Sequence, residues 1–208
     1  MDKKGNFIVF EGGEGSGKDT HIDRLKALNP RNTIFTREPG GTVIGERIRE
    51  LVLSKDLPDM AVRSELLLFL AARAQLIEEV IAPALAQGKT VISNRFGLSS
   101  IAYQIYGRQR QEYLSFLREV SNFVIGDYMP DHCILLDVTP SVGLSRVQGR
   151  GDTKTRFDEE MLSFHERVRE GYRVHVSEFG TPHIINADQP LEVVWEKVQH
   201  AVVALLSL

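Results

Sequence analysis

The stretch from Phe7 to Thr20, F-I-V-F-E-G-G-E-G-S-G-K-D-T, constrains this chain more than any other. A short apolar run predicts a buried strand, glycines and a lysine follow, and helix-forming residues begin at Asp19. Gly12, Gly17 and Lys18 fit the spacing G-x-x-x-x-G-K, whose backbone N–H groups wrap a phosphate chain at a helix N-terminus. Glycine serves there because the backbone approaches the phosphates in conformations that a Cβ would block. The loop is assigned to residues 12–20: Gly12, Gly13, Glu14, Gly15, Ser16, Gly17, Lys18, Asp19 and Thr20. Lys18 supplies a compact positive charge to the β- and γ-phosphates. A glycine-rich turn with a solvated lysine is the plainer reading, but strand, loop and helix occur in the order a phosphate site needs.

At 208 residues the chain reads as one domain, residues 1–208, long enough for a substantial core. Its 28 acidic and 25 basic side chains nearly balance, so no global electrostatic case for nucleic acid or an anionic membrane follows. A single cysteine, Cys133, excludes an internal disulfide and suits a reducing compartment. Met1 leads through charged residues straight into the first strand, so no signal peptide is expected. No apolar run approaches the ~20 residues of a membrane span. The expected location is the cytoplasm, without a membrane partner.

Periodicity predicts helices over 19–28, 43–53, 60–87, 98–106, 113–124, 141–147, 159–179 and 190–206. Strands are predicted over 7–11, 33–37, 90–93, 133–138 and 183–186. Pro83 is expected to bend the long 60–87 helix or to mark a new start. Alternating strands and helices, with the strands apolar on both faces, predict an α/β fold. Its five-stranded parallel sheet is covered by helices on both sides. Right-handed crossovers then gather the loops after the strands along one edge, where ligands bind.

Four further stretches carry chemistry: T-R-E-P-G-G-T at 36–42, L-F-L-A-A-R-A-Q at 68–75, N-R-F-G-L-S-S-I-A-Y-Q at 94–104, and the basic G-R-G-D-T-K-T-R-F at 149–157. With the phosphate loop in its E-G-G-E-G-S-G-K form, this ordered set resembles the thymidylate kinase family, from Phe7 to about Val198. The resemblance implies a P-loop nucleotide kinase fold with a mobile lid at about 149–157. It also implies transfer of a phosphoryl group from ATP to dTMP with Mg²⁺, and a homodimer.

Carried over motif by motif, the resemblance assigns Glu14 to the sugar 3′-hydroxyl, and Arg37 and Arg95 to the acceptor phosphate. Guanidinium suits phosphate because it offers two parallel N–H donors. Phe69 and Arg73, four apart on one helix face, match the ring that stacks on thymine and the arginine that bonds its edge. Ser100 and Gln104 match positions that address the base, and Tyr103 a ring beside the sugar. The lid arginines Arg150 and Arg156 match groups that stabilise transferring charge. Taken singly, Phe69 would pass for core and Arg73 for a solvated surface residue. Glu38 and Gly40 are read mainly as a turn. Asp137 and the run Asn186-Ala187-Asp188 are possible contacts, the latter bordering adenine; four histidines, His21, His132, His165 and His183, show no metal-ligand spacing and receive no function.

Two positions depart from the family pattern. Asp19 follows the lysine, where Ser or Thr normally presents a hydroxyl to Mg²⁺, and Asn94 precedes Arg95, where aspartate is usual. Thr20 lies one place too late, turned by ~100° around the helix. The two departures read as one exchange, moving the carboxylate from strand to loop and making Asp19 the metal-directed residue. Alternatives are a kinase for another deoxynucleoside monophosphate, or a nucleotide-binding protein whose turnover the two changes reduce.

Overall fold

A computed structural model describes residues 5–149 and 155–206. The chain forms a five-stranded sheet in the order β2-β3-β1-β4-β5, every pair parallel. The strands are β1 (Phe7–Glu11), β2 (Thr33–Arg37), β3 (Thr90–Asn94), β4 (His132–Asp137) and β5 (Thr181–Asn186). Each β-to-β crossover carries helix: α1 (Lys18–Ala27), α2 (Val43–Leu53), α3 (Val62–Leu76), α4 (Ala82–Ala86), α5 (Gly97–Ser100), α6 (Leu114–Ile125), α7 (Pro140–Gln148) and α8 (Leu162–His175). A last helix, α9 (Leu191–Val202), follows β5.

β1 lies at the centre of the sheet and is buried along its whole length. Its side chains alternate between two cores, as a strand's period of two requires. Phe7 and Val9 join Leu66, Leu70, Phe96, Leu117 and Val168 on one face. Ile8 and Phe10 join Ile22, Leu25, Val194 and Val198 on the other. The loops after β1 and β3 therefore open side by side at the carboxyl edge of the sheet, where adjacent crossovers leave in opposite directions.

Three predicted elements differ in form. The 60–87 helix is α3 and α4 joined by a π-helical turn, Ile77–Ile81. Pro83, with no N–H and a ring that crowds the preceding turn, stands at the start of α4 after this wider turn. The 98–106 helix is α-helical only over α5 and continues as a π-helix, Ile101–Gly107, that carries Tyr103 and Gln104. β5 begins at Thr181, two residues before the sequence suggests. Pro182 hides its start, and an edge strand tolerates that proline. Of the predicted lid, residues 150–154, including Arg150, lie outside the described residues. Among the described residues no helix is long and apolar enough to cross a membrane.

Candidate active site

The phosphate loop leaves β1 through Gly12 and reaches α1 at Gly17, whose left-handed φ of 89° suits glycine. Gly15 has a second reason to be glycine: a Cβ there would lie 2.0 Å from the carbonyl oxygen of Gly143 in α7. The Lys18 ammonium bends back over the loop and donates to the carbonyls of Gly12 and Gly13 at 2.8 and 3.0 Å and to Ser16 Oγ at 3.1 Å. Burial, reinforced by the nearby Arg95 charge, lowers its pKa to about 8.

A cavity of about 360 Å³ opens beside this loop. It brings together Glu14, Gly15, Ser16, Gly17, Lys18 and Asp19 from the loop, Arg37 at the end of β2, Phe69 and Arg73 from α3, and Arg95, Ser100, Tyr103 and Gln104 after β3. Thr20 instead lines a second cavity with His21, Arg146, Asp188 and Pro190. Residues absent from the sequence-derived set also line the first cavity, Arg49 and Phe157 among them, and so does Asn94, one of the two departures from the family pattern. Arg49 is an arginine in an ordinary amphipathic helix, and nothing in its own stretch marks it out. Burial and the neighbouring Arg37 charge lower its pKa, and its Nη1 donates to the Pro39 carbonyl at 2.8 Å.

Arg95 is the hub of the loop region. Its Nη1 donates to Gly12 O, Ser99 Oγ and Tyr172 Oη, and its Nη2 to Glu14 Oε1 at 2.7 Å and Tyr103 Oη at 3.1 Å. Tyr103 Oη in turn donates to Glu14 Oε1 at 2.6 Å. Burial alone would raise the Glu14 pKa, but Arg95 and Lys18 override it and hold the carboxyl at about 2. The Arg95 backbone has φ 71°, uncommon for a side chain of this size. Glu11, at the end of β1, fixes the following turn by accepting from Phe96 N at 2.8 Å and Ser99 Oγ at 2.6 Å. Burial raises the Glu11 pKa against these bonds.

Deeper in the recess Arg73 is almost fully buried. Its Nε and Nη2 grip Glu38, and Nη2 also reaches Ser100 Oγ at 2.9 Å and Phe96 O at 3.2 Å. Its Nη1 is buried without a partner among the described residues. Glu38 is therefore more than the turn residue the sequence suggests, because it is the counter-charge that orients Arg73. Phe69 packs toward Phe157 with ring centroids 6.3 Å apart. Gln104 Nε2 donates to Glu65 Oε1.

Arg37 is half exposed and paired with Glu46 at 3.0 Å. Arg156 donates to the Val52 carbonyl at 2.6 Å and to Glu65 at 2.7 Å, and it does not line the cavity. Asp137 pairs in two-pronged fashion with Arg169, at 2.6 and 3.0 Å. Asp188 accepts from the backbone and hydroxyl of Thr139. Asn94 Nδ2 donates to Asp19 Oδ1 at 2.6 Å, so the two departures from the family pattern touch.

A phosphate loop and a recess with an aromatic ring and a buried arginine, sharing one cavity, define a P-loop nucleotide kinase. The sequence profile of thymidylate kinase matches residues 10–198. A thymidylate kinase of Magnetococcus marinus is 43% identical over 204 residues, covering 94% of this chain and 96% of the relative. The crystal structure of thymidylate kinase from Ehrlichia chaffeensis superposes with a TM-score of 0.71 at 30% identity, over 96% of this chain and 99% of that one. The chain belongs to the thymidylate kinase family. It is a phosphotransferase, and the family reaction is phosphorylation of dTMP to dTDP.

Proposed function

We propose a residue-level account of that reaction, carried by one observation: the Lys18 loop and the Phe69–Arg73–Gln104 recess open into the same cavity. Lys18 and the loop N–H groups hold the phosphates of ATP. Arg37, Arg95 and the newly found Arg49 hold the phosphate of dTMP. Phe69 faces the thymine ring, Arg73, Ser100 and Gln104 address its edge, and Tyr103 with Glu14 borders the deoxyribose. Phosphoryl transfer asks little covalent chemistry of the protein, so positioning and charge stabilisation supply the rate. Of the two lid arginines, Arg156 is already held by Glu65. Arg150 and Arg156 remain the two candidates for the charge-stabilising role.

The donor set beside Lys18 fits a hard divalent cation. Asn94 Oδ1 is buried without a partner among the described residues, next to the Asp19 carboxylate. Asp19 and Asn94 would hold Mg²⁺ or its water shell, and the bound ion would neutralise phosphate charge. A homodimer is supported by the family and by apolar side chains left open on the packed pair α3 and α6, where Leu67 is 51% and Phe123 88% exposed. The buried free thiol of Cys133 suits the cytoplasm.

The test is a coupled ADP-release assay with dTMP, UMP and dCMP in turn. dTMP should be preferred, Lys18→Ala should nearly abolish turnover, and Arg95→Ala should mainly impair use of the acceptor. Equal turnover of dCMP and dTMP would sink the thymine assignment.

A further inference from the structure

Behind the base recess, Glu65 of α3 has its carboxylate fully buried, with its side chain 1% exposed. It meets three donors: Gln104 Nε2 at 2.9 Å on Oε1, and Arg156 Nη2 at 2.7 Å and Arg108 Nη2 at 3.3 Å on Oε2. Glu65 does not line the cavity, whereas Gln104 does. A carboxylate offers only acceptors, so it takes the NH₂ end of the Gln104 amide. The Oε1 end, which no described donor meets, is then left for the cavity. Arg73 lines the same cavity, and its Nη1, buried without a partner among the described residues, offers a donor there.

From this we infer that Glu65 is a specificity-determining positioning residue. By fixing which way the Gln104 amide points, it gives the recess one acceptor beside one donor. This rests on the dTMP reading above and adds how the choice of base is made. The thymine edge presents an N3–H donor flanked by carbonyl acceptors, which complements Gln104 Oε1 and Arg73 Nη1. Cytosine presents the reverse, an acceptor at N3 and an amino donor at C4. It would meet acceptor with acceptor and donor with donor. A buried polar group left unpaired discriminates strongly. Arg156, at 2.7 Å, holds Oε2 from behind and leaves Oε1 toward Gln104, whereas Arg108 lies farther off at 3.3 Å and is paired with Glu160 as well.

The experiment compares kcat/KM for dTMP and dCMP in the wild type, Glu65→Gln and Arg108→Met. An amide at position 65 can donate as well as accept, which frees Gln104 to turn over. The dTMP-to-dCMP ratio should then fall roughly tenfold or more, the fold-change of one hydrogen bond. Arg108→Met breaks another arm of the same cluster and should leave the ratio in place. A smaller folded fraction scales both substrates alike and cancels from the ratio. An unchanged ratio in folded Glu65→Gln, or an equal drop in Arg108→Met, overturns the inference. Should Glu65→Gln not fold, calorimetry on the wild type decides: dTMP methylated at N3 should bind at least ~10-fold more weakly than dTMP, and equal binding overturns it. A wild type that turns over dCMP and dTMP equally would instead reject the dTMP reading itself.

Discussion

Arg73 and Glu38 form an ion pair closed to water on both sides, with their side chains 1% and 4% exposed. Three contacts of 2.7–3.0 Å join them, and they tie α3 to the turn after β2. Breaking one partner of such a pair leaves a buried charge uncompensated, at about 3–5 kcal/mol. Glu38→Ala should lower unfolding stability by that order and raise KM for dTMP more than it lowers kcat, because Arg73 loses its orientation. Urea unfolding and steady-state kinetics check both. A variant with normal stability and normal KM would make the pair incidental.

The buried Lys18 gives a pH dependence of definite sign. Between about 8 and its ordinary 10.5 the unfolded chain keeps a proton that the native loop has shed. Native stability from this group therefore rises with pH across that window. Function moves the other way, since neutral Lys18 no longer attracts phosphate. kcat/KM for ATP should fall above pH 8, while kcat at saturating nucleotide should fall later, because bound phosphates favour the ammonium. Profiles flat from pH 8 to 10.5 would remove Lys18 from this role.

Motifs read from the sequence reach the right edge of the sheet because glycine, lysine and arginine at strand ends have few other reasons to recur there. What the sequence hides is partnership. Glu38 lies in a turn-like E-P-G-G, Glu65 in a leucine-rich helix and Glu11 at the end of an apolar strand. Only the crossovers bring them beside Arg73, Gln104 and Ser99. Arg156 shows the same. It lies in a basic run matched to the lid, and its partner across the fold, the buried Glu65 carboxylate, is nowhere near it in sequence. The π-helical turns escape the sequence as well, since a change from 3.6 to a wider turn alters the face of a few residues only.

Gly143 carries a third prediction, about how α7 supports the phosphate loop. A Cβ at Gly143 would lie 2.2 Å from the carbonyl oxygen of Glu14, a contact with backbone that no rotamer change relieves. Gly143→Ala must push either α7 or the loop aside, an overpacking of about 1–3 kcal/mol. ATP affinity should weaken more than dTMP affinity, because the base recess of Phe69, Arg73 and Gln104 lies on α3 and the π-helix Ile101–Gly107, away from the clash. Calorimetry with each nucleotide separates the two, and equal losses for both would point to general unfolding.

The contact between Asn94 Nδ2 and Asp19 Oδ1 makes the exchanged pair testable as one unit. As they stand, one carboxylate and one amide meet, the amide donates, and its Oδ1 remains available. Asn94→Asp alone would set two carboxylates against each other. That variant should melt lower without divalent cation and recover with Mg²⁺ or Mn²⁺, a shift readable without any turnover. Asp19→Ser alone removes the local carboxylate and should weaken Mn²⁺ binding, measured by electron paramagnetic resonance with a non-hydrolysable ATP analogue. It should also raise the Mg²⁺ needed for half-maximal kcat/KM. Adding Asn94→Asp to Asp19→Ser returns one carboxylate and one neutral oxygen donor to the site, so Mn²⁺ affinity and activity should recover together. Residues that share a site depart from additivity, by 0.5–3 kcal/mol in typical cycles, or roughly 2- to 150-fold. Strict additivity across the four proteins, or an Asp19→Ser enzyme with unchanged Mn²⁺ affinity, would show that the contact joins two unrelated substitutions.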